Sequence, residues 1–437
     1  MKIYTTKLRV YTPLGVILLL SVFLLFWNLG TNSLSHWDEA WYADVSRTML
    51  RTGNYFTPVW NGHPFFDKPP LFYWVTAFSM KLFGVGEWSI RAVSAVAGVG
   101  TVLITYLLAQ RLFSNRSMSL ISAMVLASTI AFLFRSRTGN LDTFLTFWLT
   151  LGMYAIYTKR RLVLVIAIIA AFLTKWFIAF LFPILFILRS RSHVKSVGIA
   201  LLFAIAWIAI YTKAYGQPFL DEFWFNQYGK VAPGAFSFDY ILYLKSGLKL
   251  WFIFLIPAIY LARKLPISIY IFLIIFGLSF SANKSDWFLM PLYPLIAIVI
   301  GFMMRRWIIV VVAIAVFHIT YYGSLYIPAN TAADDAAVAK VAKARTLPGD
   351  KLYVTNYLIP TIAYYSQRQT YAVYGNRRDP NSPWILPQED WQRIKENPRV
   401  FVITNFGELE QLKKDLAPHE VEMLYQSGDK LLVGKRG

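Results

Sequence analysis

The sequence predicts a polytopic α-helical membrane protein carrying a small α/β domain at its C-terminal end. Three observations predict it. Apolar runs of about 17 to 25 residues recur from Thr12 to Tyr326, the length a helix needs to cross a bilayer. Of the 437 residues 57% are hydrophobic and 15% charged, against about 25% charged in soluble proteins. The basic residues between the runs collect in alternate segments, as the positive-inside rule requires.

The first run, 12–30, follows a basic start of Lys2, Lys7 and Arg9. It is too long for a typical signal-peptide core and lacks a small-residue cleavage site, so it reads as a retained span. Further crossings are expected at 89–110, 118–134, 141–158, 162–174, 176–188, 196–214, 247–262, 266–282, 287–304 and 307–327, making about eleven transmembrane helices. The stretch 162–188 is long for one upright span and short for two. Two short helices meeting near Lys175 keep both basic flanks on one side; a single tilted span is the alternative and would invert everything downstream.

With the N-terminus cytoplasmic, the inner segments hold fifteen basic residues, from Lys2 through Arg111, Lys159, Arg189 and Arg263 to Arg306, and no acidic one. All 23 carboxylates then fall outside, which places the C-terminal domain outside as well. The net charge of +20 lies in short segments between spans and therefore excludes nucleic acid as the expected partner. The absence of cysteine excludes disulfides and thiolate metal sites.

The outer segments hold the rest of the chain. The first, 31–89, contains two amphipathic pieces, Glu39 to Leu50 and Pro70 to Phe83, suited to lying at the membrane surface. The second runs from Tyr215 to Lys245. The tail begins at Pro328, dividing the chain into a 1–327 transmembrane domain and a 328–437 extracytoplasmic α/β domain. In the tail, Lys351 to Thr355, Thr370 to Tyr374 and Arg399 to Thr404 read as strands, and Thr361 to Gln367, Glu389 to Glu396 and Glu408 to Leu416 as helices. Val421 to Val433 reads as a hairpin turning at Ser427-Gly428-Asp429. No nucleotide-binding glycine motif occurs, so no nucleotide cofactor is expected.

Ionisable groups at membrane depth are costly and mark function. Asp38 and Glu39 lie in HWDEAWY, Lys68 in FDKPPLFYW, Arg135, Arg137 and Asp142 in RSRTGNLDTF, Lys175 in FLTKWF, and Lys284 and Asp286 in SANKSDW. The topology puts them all on the outer side, where they can converge on one cavity. Cations there suit a diphosphate or phosphodiester, and a carboxylate can accept a proton from an attacking hydroxyl. Asp38 is the leading base candidate. Each residue also has a plainer reading: helix capping for Asp38, Glu39 and Asp142, pairing of Asp142 with Arg137, interfacial anchoring for Lys68 and Arg135, and a loop charge for Lys284. Asp38, Glu39 and Asp67, with His36 and His63, permit a divalent metal; Asp38, Asp67 and His63 are the candidate ligands.

These strings resemble those of the GT-C superfamily of polyprenyl-phosphate-dependent glycosyltransferases, above all the aminoarabinose-transferase-like and protein-mannosyltransferase-like group. The segment DEAWYADVSRTMLRTGNYFTPVWNGHPFFDKPPLFYW carries the best match, supported by RTGNLDTFL, the LTK string, and Lys284 followed by PLYP. The resemblance covers about residues 10 to 325. It implies a GT-C-like enzyme of a bacterial-type cytoplasmic membrane, taking sugar from a polyprenyl-phosphate carrier such as undecaprenyl phosphate. The sugar would pass with inversion to a lipid, glycan or protein acceptor on the extracytoplasmic face. Asp38 and Asp142 would be the two family acids, with Glu39 beside them, and Lys68, Arg137, Lys175 and Lys284 would bind the donor phosphate. Two departures stand out: Asp67 where the aminoarabinose transferases have Glu, and Trp176 after Lys175 where the group usually has Gly-Pro. The alternative function is a flippase or transporter of lipid-linked sugars. No second copy of the first outer segment occurs to support it.

Overall fold

The computed structural model describes residues 2–180, 193–228, 232–355, 359–373, 397 and 399–435. In chain order, helices α1 (Lys2–Phe26), α2 (Asp38–Thr52), α3 (Leu71–Phe83) and α4 (Glu87–Phe113) are followed by α5 (Arg116–Ala127), α6 (Ile130–Ser136), α7 (Leu141–Thr158) and α8 (Arg161–Lys175). Then come α9 (Val194–Tyr215), α10 (Gln217–Tyr228), α11 (Asp239–Leu248), α12 (Trp251–Leu261) and α13 (Pro266–Leu278). A 3-10 turn, Asp286–Leu292, leads into α14 (Tyr293–Met303), followed by α15 (Ile308–Tyr321). The tail adds α16 (Ala333–Arg345), α17 (Ile359–Ser366) and α18 (Phe406–Leu416).

The fold is mostly helical with a sheet near the C-terminus, as expected, but the span count is lower. Among the described residues, Glu87–Phe113, Val194–Tyr215 and Asp286–Met303 are long and apolar enough to cross a membrane, five stretches if each of two bent pairs is one span. The expected crossing at 118–134 is one such pair, α5 and α6, bent by 63°. There Ser128 Oγ and Thr129 Oγ1 turn back onto the carbonyls of Met124 and Val125, which bends helices. The expected crossing at 247–262 is corrected: α11 and α12 meet at 115° around Lys249, so the apolar helix begins at Trp251. The break expected near Lys175 is present, because α8 ends there and Trp176 takes φ 52°. The remainder of 176–188 beyond residue 180 lies outside the described residues, as does Glu389 to Glu396.

Two compact units emerge. The first comprises Met1–Leu29, Phe66–Val75 and Arg91–Pro328. Its core is largely apolar and depends on small residues at close helix approaches. A Cβ on Gly98 would stand 2.8 Å from Ser136 Oγ and 2.9 Å from Leu25, so α4 reaches α1 and α6 only through glycine. Large apolar side chains face outward on its helices, among them Leu19, Leu202, Ile256 and Ile309, as a bilayer-facing surface requires.

The second unit comprises Gly30–Phe65, Thr76–Ile90 and Ala329–Gly437. Strands β3 (Leu352–Val354), β4 (Thr370–Ala372), β5 (Phe401–Asn405), β6 (Val421–Ser427) and β7 (Lys430–Lys435) form a sheet of order β4-β3-β5-β7-β6. β3 runs parallel to β4 and β5; β7 runs antiparallel to β5 and β6. A short hairpin, β1 (Val59–Trp60) and β2 (His63–Pro64), completes the strands; numbering these two first follows the chain. The expected tail strands, the helices at 361–367 and 408–416, and the hairpin all form within a few residues of their expected bounds. The tail packs with the first outer segment rather than by itself. Asn61 exchanges two hydrogen bonds with the backbone of Thr370, and α2 lies against α17. Tyr365 Oη accepts from the amide of the buried Leu34 at 2.8 Å and donates to Glu87 at 2.7 Å. Burial pushes this phenol well up, so it stays a donor. Tyr365→Phe leaves a buried amide unpaired. It should cost about 1–3 kcal/mol, read as a lower unfolding temperature of the full-length protein in detergent.

Candidate functional site

The first unit gathers six of the expected charges into three ion pairs, two of them joined. Asn140 accepts from the amide of Asp142 at 3.0 Å and thereby caps α7. Its own Nδ2 donates to the carbonyl of Arg135 at 2.9 Å. The cap is therefore Asn140, which leaves the Asp142 carboxylate free to receive Lys175 Nζ at 2.8 Å. Both charges sit at favourable helix ends, Asp142 in the first turn of α7 and Lys175 in the last turn of α8. Lys175 also lies 5.2 Å from the ring centre of Phe288. Asp67 and Lys68 form a second pair at 2.5 Å, both buried. Trp176 links the two, because its indole donates to the carbonyl of Asp67 at 3.2 Å. Sequence reasoning marked Trp176 only as a departure; its place directly after Lys175 was the available signal.

Two other expected phosphate ligands are placed differently. Arg137 is buried, and its Nη groups donate to the carbonyls of Leu24 and Trp27, the latter at 2.6 Å. It thus closes the C-terminal end of α1, where carbonyls lack helical partners, instead of standing open to a phosphate or pairing with Asp142. Lys284 donates to the carbonyl of Ala235 at 3.2 Å and stands 4.0 Å from Asp239. It lines a cavity of about 470 Å³ with Arg135, Lys249 and Asp286. Arg135 pairs with Asp286 at 3.0 Å and lies over Trp287. Lys249 was missed from the sequence, where it reads as one more residue of a span.

The second unit holds Asp38 and Glu39. Asp38 opens α2 directly after Trp37, whose φ of 66° and ψ of −116° are rarely adopted by a side-chain-bearing residue. Trp37, not Asp38, occupies the cap position. Glu39 is buried and accepts from the Ser35 amide at 2.6 Å and the Ser35 hydroxyl at 3.0 Å, a local structural use. His36 binds Thr361 Oγ1 through Nδ1 at 3.1 Å and stands 3.8 Å from Asp335. His63 is exposed on β2. Among the described residues no three His, Asp or Glu side chains gather as a metal site. The candidate trio Asp38, Asp67 and His63 is therefore not assembled, and Asp67 already has Lys68 as its counter-charge.

The comparisons bear on this arrangement. Residues 67–215, which contain the two joined ion pairs, match the family model of dolichyl-phosphate-mannose-protein mannosyltransferases. A relative in Pseudomonas fluorescens, undecaprenyl phosphate-alpha-4-amino-4-deoxy-L-arabinose arabinosyl transferase 1, is 32% identical over 55% of this chain and 49% of its own length. The crystal structure of ArnT from Cupriavidus metallidurans bound to undecaprenyl phosphate superposes with a TM-score of 0.82 at 16% identity, covering 97% and 98% of the two chains. The chain shares the fold of that structure and is similar in part of its sequence to the arabinosyl transferases. The Archaeoglobus fulgidus oligosaccharyltransferase, solved with Zn and sulfate, shares the fold more loosely, with a TM-score of 0.59 at 13% identity over 92% of this chain and 68% of its own. The chain spans only a third to a half of the length of the arabinosyl transferases it matches, 33% to 49%. The transporter alternative finds no support among these relatives.

Two outcomes test the geometry. Asp142→Asn or Lys175→Gln alone strands a charge inside the GT-C-like bundle and should cost about 3–5 kcal/mol. The double variant should cost clearly less than the sum of the two, measured by thermal unfolding in detergent. In the second unit, burial lowers the His36 pKa and raises that of Asp335. A lowered imidazole binds fewer protons folded than unfolded, so its share of stability is lost as pH falls from 6.5 toward the folded value. Asp335 acts oppositely, losing stability as pH rises from 3.8 toward its raised value. His36→Gln should flatten the loss of unfolding temperature that wild type shows on acidification below about pH 6.5.

Proposed function

We propose that this chain is a glycosyltransferase. It moves a sugar from a polyprenyl-phosphate carrier to a lipid, glycan or protein acceptor on the extracytoplasmic face. One observation carries the reading: the segment that matches the mannosyltransferase family model holds one buried and one partly buried ion pair, joined through Trp176. Charges kept at membrane depth fit chemistry on a charged lipid-linked substrate. The donor and the transfer are read from the curated relatives, whose names give undecaprenyl phosphate and an arabinosyl group.

In this reading Asp38 takes the proton from the acceptor hydroxyl as it attacks the anomeric carbon. The bond from that carbon to the carrier phosphate breaks in the same displacement, which inverts the centre. Lys68 and Lys175 favour the leaving phosphate as its negative charge grows. Asp67 and Asp142 hold those two ammonium groups in place. Asp142 is accordingly a positioning acid for Lys175, and Glu39 supports the turn before α2. The N-terminus is read as cytoplasmic and the C-terminal domain as extracytoplasmic, from the distribution of Lys and Arg. The 1–327 and 328–437 division then separates a membrane domain from an outer domain built around the sheet.

Asp38→Asn keeps the shape of the side chain and removes the base. It should reduce transfer from a defined undecaprenyl-phosphate sugar by about 10²- to 10⁴-fold, with expression and unfolding temperature unchanged. Full retained turnover in that variant would remove Asp38 from the role of base.

A further inference from the structure

The turn that carries Asp38 is held mainly by the tail. In the string SLSHWDE, the four residues before Trp37 are each anchored by a hydrogen bond. The Ser33 amide donates to Asn330 Oδ1 at 3.0 Å and the Leu34 amide to Tyr365 Oη at 2.8 Å. Ser35 donates to Glu39 through its amide and its hydroxyl. His36 meets the hydroxyl of Thr361 through Nδ1 at 3.1 Å. Asn330, Tyr365 and Thr361 all belong to the tail, and Thr361 is buried in the first turn of α17. Of the four anchored residues His36 stands nearest Asp38, with Trp37 alone between them.

That placement matters because Trp37 is strained. At φ 66° and ψ −116° it lies outside the regions open to a residue with a Cβ, and such a conformation lasts only where contacts on both sides impose it. Downstream, α2 is tied to α17 by a separate contact: Arg47 donates to the carbonyl of Tyr364 at 2.5 Å and lies 4.6 Å from the centre of its ring. Upstream, the nearest tie to the tail is that of His36 with Thr361. Once it is released, Trp37 can relax to an ordinary negative φ, and the rotation turns Asp38 with it. Charges surround the ring: Asp335 of α16 at 3.8 Å from Nε2, Lys430 at the start of β7, and Asp429, which acts on Asp335 from the hairpin turn. Burial nevertheless holds the imidazole below its usual 6.5, so above that pH it is the neutral ring that meets Thr361.

We infer that His36 is a positioning residue for Asp38: its hydrogen bond with Thr361 fixes the strained turn at Trp37, and with it the direction in which Asp38 leaves the chain. The inference deepens the glycosyltransferase reading and rests on it for the role of Asp38 as base. It gives the tail a part in the reaction, as the body that orients that base, and assigns that part to one contact between His36 and α17.

Hydrogen–deuterium exchange of the full-length chain in detergent tests the clamp, and turnover tests its use. The reporter is the Trp41 amide, which closes the first turn of α2 on the carbonyl of Trp37 at 2.9 Å. His36→Ala and Thr361→Val remove the contact from opposite sides, so either serves should the other fold poorly. Each should speed exchange there by about tenfold, as a local opening does, with exchange in β5 and β7 unchanged. His36→Asn sets an amide where Nδ1 stands and should restore slow exchange; His36→Gln reaches the Nε2 position instead and should not. In transfer from a defined undecaprenyl-phosphate sugar, the Ala and Val variants should lose about 10- to 10²-fold in kcat with KM for the donor unchanged, and His36→Asn should recover most of it. Unchanged exchange in both the Ala and Val variants, or equal recovery by Gln and Asn, overturns the inference. So does full kcat in the Ala and Val variants of an enzyme that Asp38→Asn inactivates. Turnover retained by Asp38→Asn removes the base instead, and the exchange result then still decides whether His36 fixes the turn.

Discussion

A charge inside an apolar helical bundle is stable only where an opposite charge or a set of polar groups meets it, and this requirement organises the first unit. Asp142 and Lys175 satisfy it for each other at 2.8 Å across two helices. Asp67 and Lys68 satisfy it within a single string. Arg137 satisfies it without a carboxylate, by donating to carbonyls that the end of α1 leaves open. The three solutions differ in what remains for a ligand. A guanidinium spent on a helix end is structural. An ammonium has three N–H donors, and the contact of Lys175 with one oxygen of Asp142 uses one of them.

The same requirement explains why Asn140 matters. Had Asp142 capped α7 itself, its carboxylate would have been drawn to the helix amides and Lys175 left to apolar surroundings. Asn140 takes the amide and fixes the turn through the carbonyl of Arg135. The string RTGNLDTF thus divides its labour: the neutral amide shapes the backbone and the acid is released for the ion pair. Trp176 extends the arrangement to Asp67. A Gly-Pro in its place could not donate that hydrogen bond, so the local departure from the family pattern has a definite physical consequence.

Much of this fold is legible in the sequence because its determinants are local. Apolar runs gave the helices, basic clusters gave the break at Lys175, and Ser-Gly-Asp gave the last hairpin turn. The corner at Lys249 was not legible, because apolar residues flank it on both sides and the nearest glycine, Gly247, lies inside α11 rather than at the turn. Helix α16 escaped notice because Ala333 to Arg345 is rich in alanine and carries no clear apolar stripe. The ion pair of Asp142 and the capping role of Arg137 depend on contacts 33 and more than 100 residues away in sequence. Charge and position marked these residues as important, but only packing assigns each its partner. The tail strands were readable from alternation; that Asn61 and Leu34 would bind the tail was not, since a lone polar side chain in a loop announces no partner.

Backbone strain offers an independent view of where the chemistry lies. Trp37, Trp176 and Lys249 share nearly one conformation, with φ of 66°, 52° and 51° and ψ of −116°, −138° and −121°. None is glycine, and each adjoins or is a charge already singled out: Asp38 follows the first, Lys175 precedes the second, and Lys249 is the third. Strain of this kind persists only where surrounding contacts over-determine it. At Trp176 the indole hydrogen bond does so, and at Trp37 the edge-on contact with Trp41, ring centres 5.4 Å apart, contributes. Aromatic bulk at such positions is a costly way to turn a chain, and a glycine would turn it more easily. What a glycine would not do is hold the neighbouring charge at a fixed angle, and groups that must meet a ligand in one geometry depend on that rigidity.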